Sequence, residues 1–186
     1  MLAIVALAAL TGSAFPFRPT QDALNSFLTA GLPPLALAVW AMSGRPPQHI
    51  LRAVGRFVLP AAALAALAGA GVYLYYLRQV HIDVETARAA LTTTVICCGA
   101  ALILFARPPA RFWSATTSPG KDRRPAALAL SVPALLAVIM AIPALRAFFD
   151  LTLLAAEDYA LIAVVVAAWA VVLRLLYTVT GSVSPG

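Results

Sequence analysis

The chain has 186 residues, 62% of them hydrophobic and 11% charged, with a mean hydropathy of +0.92. A soluble domain carries about 45–50% apolar and about 25% charged residues, so this composition excludes a water-soluble fold. The formal net charge of +6 is not a nucleic-acid signature either. Such a surface interleaves aromatic and basic residues on a soluble face, and no stretch here does so.

In chain order, the first apolar run is Met1–Phe17. It contains Thr11, Gly12, Ser13 and Pro16, and no Lys or Arg precedes Arg18. A signal peptide needs a basic leader, so the run reads instead as a short or truncated helix that begins abruptly inside the membrane. Four uncharged runs come next, Ala23–Gly44, Phe57–Leu77, Ala89–Ala106 and Pro125–Leu145. Each approaches the roughly 20 residues that cross a bilayer as a helix. A further run, Tyr159–Leu173, extends to Val179 if Arg174 carries its guanidinium to the interface. The expected fold is therefore all-α, a polytopic membrane bundle of about six transmembrane helices.

Charges in the connections set the orientation. Gly44–Arg56 carries Arg45, Arg52 and Arg56 with no acid, and Arg107–Arg124 carries five basic residues against Asp122. Eight of the 13 Lys and Arg residues thus lie in these two loops. The connections near Arg18–Asp22, Arg78–Arg88 and Arg146–Asp158 are balanced or acidic. Basic residues collect on the cytoplasmic side, so the two basic loops and both termini are expected there. The other three connections are expected outside. The protein is read as multi-pass in the plasma membrane, with the lipid bilayer as its surroundings.

Helix-packing signals are simple. Ala62, Ala66 and Ala70, and Ala61, Ala65 and Gly69, repeat every fourth residue. Small residues at this spacing let helices approach closely in lipid. Tyr73, Tyr75 and Tyr76, and Phe112 with Trp113, are placed as interface anchors.

The most informative stretch is Asn25–Trp40. It is an apolar helix broken by Gly31, Pro33 and Pro34, with Asn25, Ser26 and Thr29 just before the break. Proline donates no backbone hydrogen bond and frees carbonyls. In lipid, freed groups survive only inside protein or beside a polar cavity. A broken helix with polar side chains is therefore a candidate ion site, a simple proline kink being the alternative.

Other chemistry is sparse. His49 and His81 fall in loops expected on opposite sides, and Cys97 with Cys98 lacks the spacing of a zinc site. Thr92, Thr93 and Thr94 can bond back to the preceding turn and need no further role. There is no phosphate-cradling glycine loop. No acid lies within the long uncharged runs, which argues against a strong cation site built by this chain alone. We assign no catalytic residue, no metal-ligand set and no cofactor to the chain.

The stretch from Phe17 to Ala38, with Thr29-Ala-Gly-Leu-Pro33 at its centre, resembles the outer hairpin and sixth membrane helix of cation-transporting P-type ATPases. The later segments come in a similar order too: a basic loop, a helix rich in small residues, an eighth helix opening Thr86-Ala-Arg-Ala-Ala-Leu-Thr, and Arg146-Ala-Phe-Phe-Asp-Leu-Thr-Leu-Leu as a late outer link. The resemblance implies that residues 1–186 form a single C-terminal domain covering the family's fifth to tenth helices. It places Asn25, Ser26, Thr29, Gly31 and Pro33 in the ion pathway. Ala30 stands where the family carries an ion-binding Asp, and Ser26 where it carries Asn. A bacterial subgroup also lacks that acid.

The family's Asp-Lys-Thr-Gly-Thr phosphorylation motif and its nucleotide domain have no counterpart in the chain. Phosphoryl transfer needs an acceptor, a nucleotide site and a metal, so the chain is expected to be inactive alone. ATP and magnesium would belong to the rest of the pump. The implied partners are a cation and the missing N-terminal half or a neighbouring membrane subunit. A truncated gene, a mis-called start or a split subunit would each yield such a chain. The alternative is an independent small multi-pass membrane protein that binds or scaffolds a partner. A secondary transporter would want symmetric repeats and buried charges, and neither is present.

Overall fold

A computed structural model describes residues 18–33, 35, 50–79, 83–105 and 124–179. The described residues are mostly helical and contain no strand. Helix α1 spans Pro19–Ser26 and continues as a π-helical turn over Phe27–Gly31. It is followed by α2 (Ile50–Leu77), α3 (Val84–Phe105), α4 (Arg124–Ala141), the short α5 (Pro143–Phe148) and α6 (Ala156–Val179). The first run, Met1–Phe17, lies outside the described residues, as do His49, His81, Phe112 and Trp113.

Among the described residues, three helices are long and apolar enough to cross a membrane: Val58–Leu77, Val84–Ile103 and Ala156–Thr178. The protein is multi-pass. Helix α3 is the hub, packing against α1, α2, α4 and α6. Of its membrane-length window 56% is buried, against 28% for α2 and 17% for α6, so α3 is the most enclosed of the three and α6 the most exposed. Leu59, Leu67, Leu130, Val164, Val171 and Leu175 are exposed apolar residues that suit contact with lipid tails.

The expected span Pro125–Leu145 is not one helix. It breaks at Ile142, which is extended (φ −92°, ψ 112°), and restarts at Pro143. The ring of Pro143 drives the preceding residue out of helical geometry, and its own fixed φ suits the first position of a new helix. The apolar part of α4 is therefore the shorter Ala126–Ala141.

Both alanine stripes on α2 pack inside the protein toward its C-terminal half: Ala61, Gly69 and Ala70 are buried, Ala65 and Ala66 half-buried, and Ala62 is exposed. Ala61 joins Cys98, Trp169, Leu173 and Tyr177 in a cluster between α2, α3 and α6. Cys98 thus serves as a small apolar packing residue. Of the three tyrosines only Tyr75 is exposed; Tyr73 and Tyr76 are buried in the main core with Leu24, Leu28 and Leu91. The interface-anchor expectation is corrected for these two.

Candidate functional site at the broken helix

Helix α1 begins where Arg18 is extended (φ −88°, ψ 150°) and Pro19 opens the first turn. This end is held by side chains from two distant segments. Arg18 pairs with Glu85 at 2.7 Å and with Asp150 at 2.9 Å, and Arg88 also donates to Glu85 at 2.9 Å. Thr20 donates to the Asp150 carboxylate at 3.1 Å, and the Gln21 amide donates to the Asp150 carbonyl at 2.8 Å. Thr152 donates to the Glu85 carbonyl at 3.3 Å. The three balanced connections thus converge on one end of the bundle. Glu85, first by its hydrogen bond and then by its charge, raises the Arg18 pKa further, and Asp150 adds to this, so the guanidinium stays charged.

Asp150 is left-handed, with φ 51°. It caps α5: its own N–H reaches the Ala147 carbonyl and the Leu151 N–H reaches that of Arg146. This is the pairing of a Schellman cap, where glycine is usual and Asp is tolerated. Here Asp supplies a carboxylate that glycine would not.

Further along α1, the chain leaves α-geometry one turn before the prolines. The Leu32 N–H bonds the Phe27 carbonyl, five residues back, in a single π-turn. Pro33 and Pro34 carry no N–H, so the Thr29 carbonyl lacks both the four- and the five-residue partner that a helix would provide. Isolated π-turns of this kind recur at functional sites.

The sequence-predicted site residues divide in this frame. Asn25 is buried, and the Thr29 hydroxyl donates to its carbonyl at 2.7 Å. Pro33 is buried, Gly31 half-buried and Ser26 exposed. Of the two candidates Asn25 and Ser26, Asn25 is therefore the one turned into the protein. Gly31 is not demanded by packing, since a Cβ there would make only ordinary contacts at 3.6 Å and 3.8 Å.

Sequence reasoning passed over two features of α3. A Cβ on Gly99 would lie 2.7 Å from Thr29 Cγ2, so α3 approaches the π-turn at that glycine. Thr94 bonds back to the Ala90 carbonyl at 2.7 Å, as expected of a helical Thr, but Thr92, fully buried, does not. Among the described residues, the buried side-chain oxygens with no hydrogen-bond partner are Thr92 Oγ1, Asn25 Oδ1, Asp22 Oδ1 and Gln21 Oε1. Such groups in a native interior call for a reason.

Comparison with known families gives a match. The model for the C-terminus of cation-transporting ATPases covers residues 14–178, nearly the whole chain. The chain belongs to this family, the C-terminal membrane region of cation-transporting P-type ATPases. The stretch from Arg18 to Pro33, with its π-turn and buried polar residues, lies inside the region that the family match covers. No curated protein and no solved structure matches the chain significantly.

Proposed function

We propose that this membrane domain supplies part of the ion pathway of an ATP-driven cation pump, with Asn25, Thr29 and the Thr29 carbonyl freed by the break at Gly31–Pro33 lining it. Residues 1–186 act as one transmembrane domain in the plasma membrane, with both termini cytoplasmic. The domain is catalytically silent. An N-terminal half, continuous with it or a separate subunit, binds ATP and magnesium and carries the phosphoryl acceptor. The observation that carries this reading is the π-turn ahead of Pro33: it combines a carbonyl stripped of its helical partners with a buried Asn25, in a chain of the pump family.

The pathway role can be tested in a full-length pump carrying this domain. Thr29→Val keeps the side-chain shape but removes the hydroxyl that holds the Asn25 carbonyl. It should reduce cation-stimulated ATP hydrolysis by about 10-fold or more, the scale of losing support around a metal, without changing expression. Unchanged stimulation would leave the break as a structural kink.

A further inference from the structure

Helices α2 and α6 run antiparallel, and two contacts fix their register. Tyr76, near the end of α2, bonds Asp158 at the start of α6, and Ala61, in the first half of α2, shares a packed cluster with Leu173 late in α6. Between these levels lies an apolar groove of about 300 Å³. Leu67, Gly71 and Tyr75 line it from α2, and Leu161 and Val165 from α6. Each set is spaced by four residues and forms one stripe along its helix. Gly71 makes the notch: a Cβ there would meet nothing within 4 Å, while Leu67 and Tyr75 on either side of it are 67% and 49% exposed.

Both stripes run into a charge at the same end of the bundle. Arg78 follows Tyr75 by three residues, and Glu157 precedes Leu161 by four. Both are exposed, and neither joins an ion pair among the described residues. The backbone at this level is held in place. The Arg78 N–H donates to the Leu74 carbonyl at 3.2 Å, and the Asp158 carboxylate accepts from Tyr76 and from the Ala155 N–H. The Tyr75 ring packs edge-on against Tyr76, with centroids 5.6 Å apart. The groove is thus apolar along its length and headed by one cation and one anion.

We propose that this groove binds one phospholipid with a zwitterionic, primary-ammonium headgroup, of the phosphatidylethanolamine class. An acyl chain fills the notch at Gly71, the phosphate meets Arg78 and the ammonium meets Glu157. The guanidinium fork matches phosphate oxygens. A primary ammonium donates hydrogen bonds to a carboxylate, which the quaternary nitrogen of a choline headgroup has no proton to do. A purely anionic headgroup would satisfy Arg78 but oppose Glu157. A neighbouring membrane helix fits less well. Close helix approach uses small residues repeated every fourth position, whereas here a single glycine stands between Leu67 and Tyr75. The site goes beyond the pump reading and does not depend on it.

The test is native mass spectrometry of the purified, delipidated chain in detergent, titrated with the dioleoyl forms of phosphatidylethanolamine, phosphatidylcholine and phosphatidylglycerol. Wild type should retain one phosphatidylethanolamine and bind the other two about 2- to 5-fold more weakly, the scale of an exposed charge pair. Glu157→Gln should erase the preference over phosphatidylcholine, and Arg78→Gln should weaken both of these lipids alike. Gly71→Leu fills the notch without meeting protein and favours the helix, so it should weaken all three lipids in common. Leu130→Ala, at an exposed position on α4, should change nothing. Equal retention of phosphatidylethanolamine and phosphatidylcholine by wild type would overturn the headgroup assignment, and lipid binding indifferent to Gly71→Leu would overturn the groove. A wild-type dimer that Gly71→Leu converts to monomer would overturn the lipid in favour of a second copy of the chain. The Glu157→Gln comparison gives the answer even if Gly71→Leu folds poorly.

Discussion

Thr29 and Gly99 lock the broken helix to the hub of the bundle. A Cβ at position 99 would sit 2.7 Å from Thr29 Cγ2 and 3.3 Å from its Cβ. Thr29 cannot rotate away without losing its 2.7 Å hydrogen bond to the Asn25 carbonyl. Gly99→Ala should therefore destabilise the chain by about 1–3 kcal/mol, the usual cost of overpacking. Thr29→Ser removes the clashing methyl, keeps the hydroxyl and should recover part of the loss. Thermal unfolding of the two single variants and the double variant measures this coupling; strict additivity would contradict it.

The Arg18 end of α1 gives a second prediction. Asp150 holds a left-handed backbone (φ 51°) while its carboxylate takes Arg18 and Thr20. Asp150→Ala should lose the contacts and add roughly 1–2 kcal/mol of backbone strain. Asp150→Asn tolerates the conformation and retains an acceptor for Thr20, so it should unfold between wild type and Asp150→Ala. Asp150→Ala unfolding at the same temperature as Asp150→Asn would show that the left-handed backbone carries no cost.

Much of this architecture is legible from residue order alone, because apolar runs and proline breaks are local signals. The runs at Phe57–Leu77 and Ala89–Ala106 correspond to α2 and α3. Contacts between distant residues are not legible in this way. Gly31 stands out beside two prolines yet packs loosely, whereas Gly99, in an unremarked apolar helix, is where α3 meets α1. Thr92 and Thr94 look alike in sequence, and only the fold separates the back-bonded hydroxyl from the unpartnered one. Tyr76 looks like an interface residue until α6 brings Asp158 to it.

That Tyr76–Asp158 hydrogen bond yields a third prediction. Asp158 also accepts from the Ala155 N–H at 2.7 Å, so it joins the start of α6 to the end of α2. Tyr76→Phe keeps the buried ring and removes one bond to a charged group, which should cost about 1.5–3 kcal/mol. Thermal unfolding indistinguishable from wild type would mean that the bond does not form in the membrane.

Orientation gives a fourth. The basic loop containing Ser118 should face the cytoplasm, and Gln79 should face outside. In a background lacking Cys97 and Cys98, Ser118→Cys and Gln79→Cys should react with an impermeant thiol reagent from opposite sides. Labelling of Ser118→Cys from outside intact cells would invert the topology.

The central claim is that this chain is the membrane partner of a phosphorylating half and performs no phosphoryl transfer itself. The direct measurement is acid-stable phosphoenzyme formation from radiolabelled ATP, comparing the purified chain with the same chain assembled with that N-terminal half. The assembled pump should form a phosphoenzyme whose level responds to the transported cation, and the chain alone should form none. A phosphoenzyme on the isolated chain, or an assembled pump whose phosphorylation ignores every cation supplied, would contradict the account.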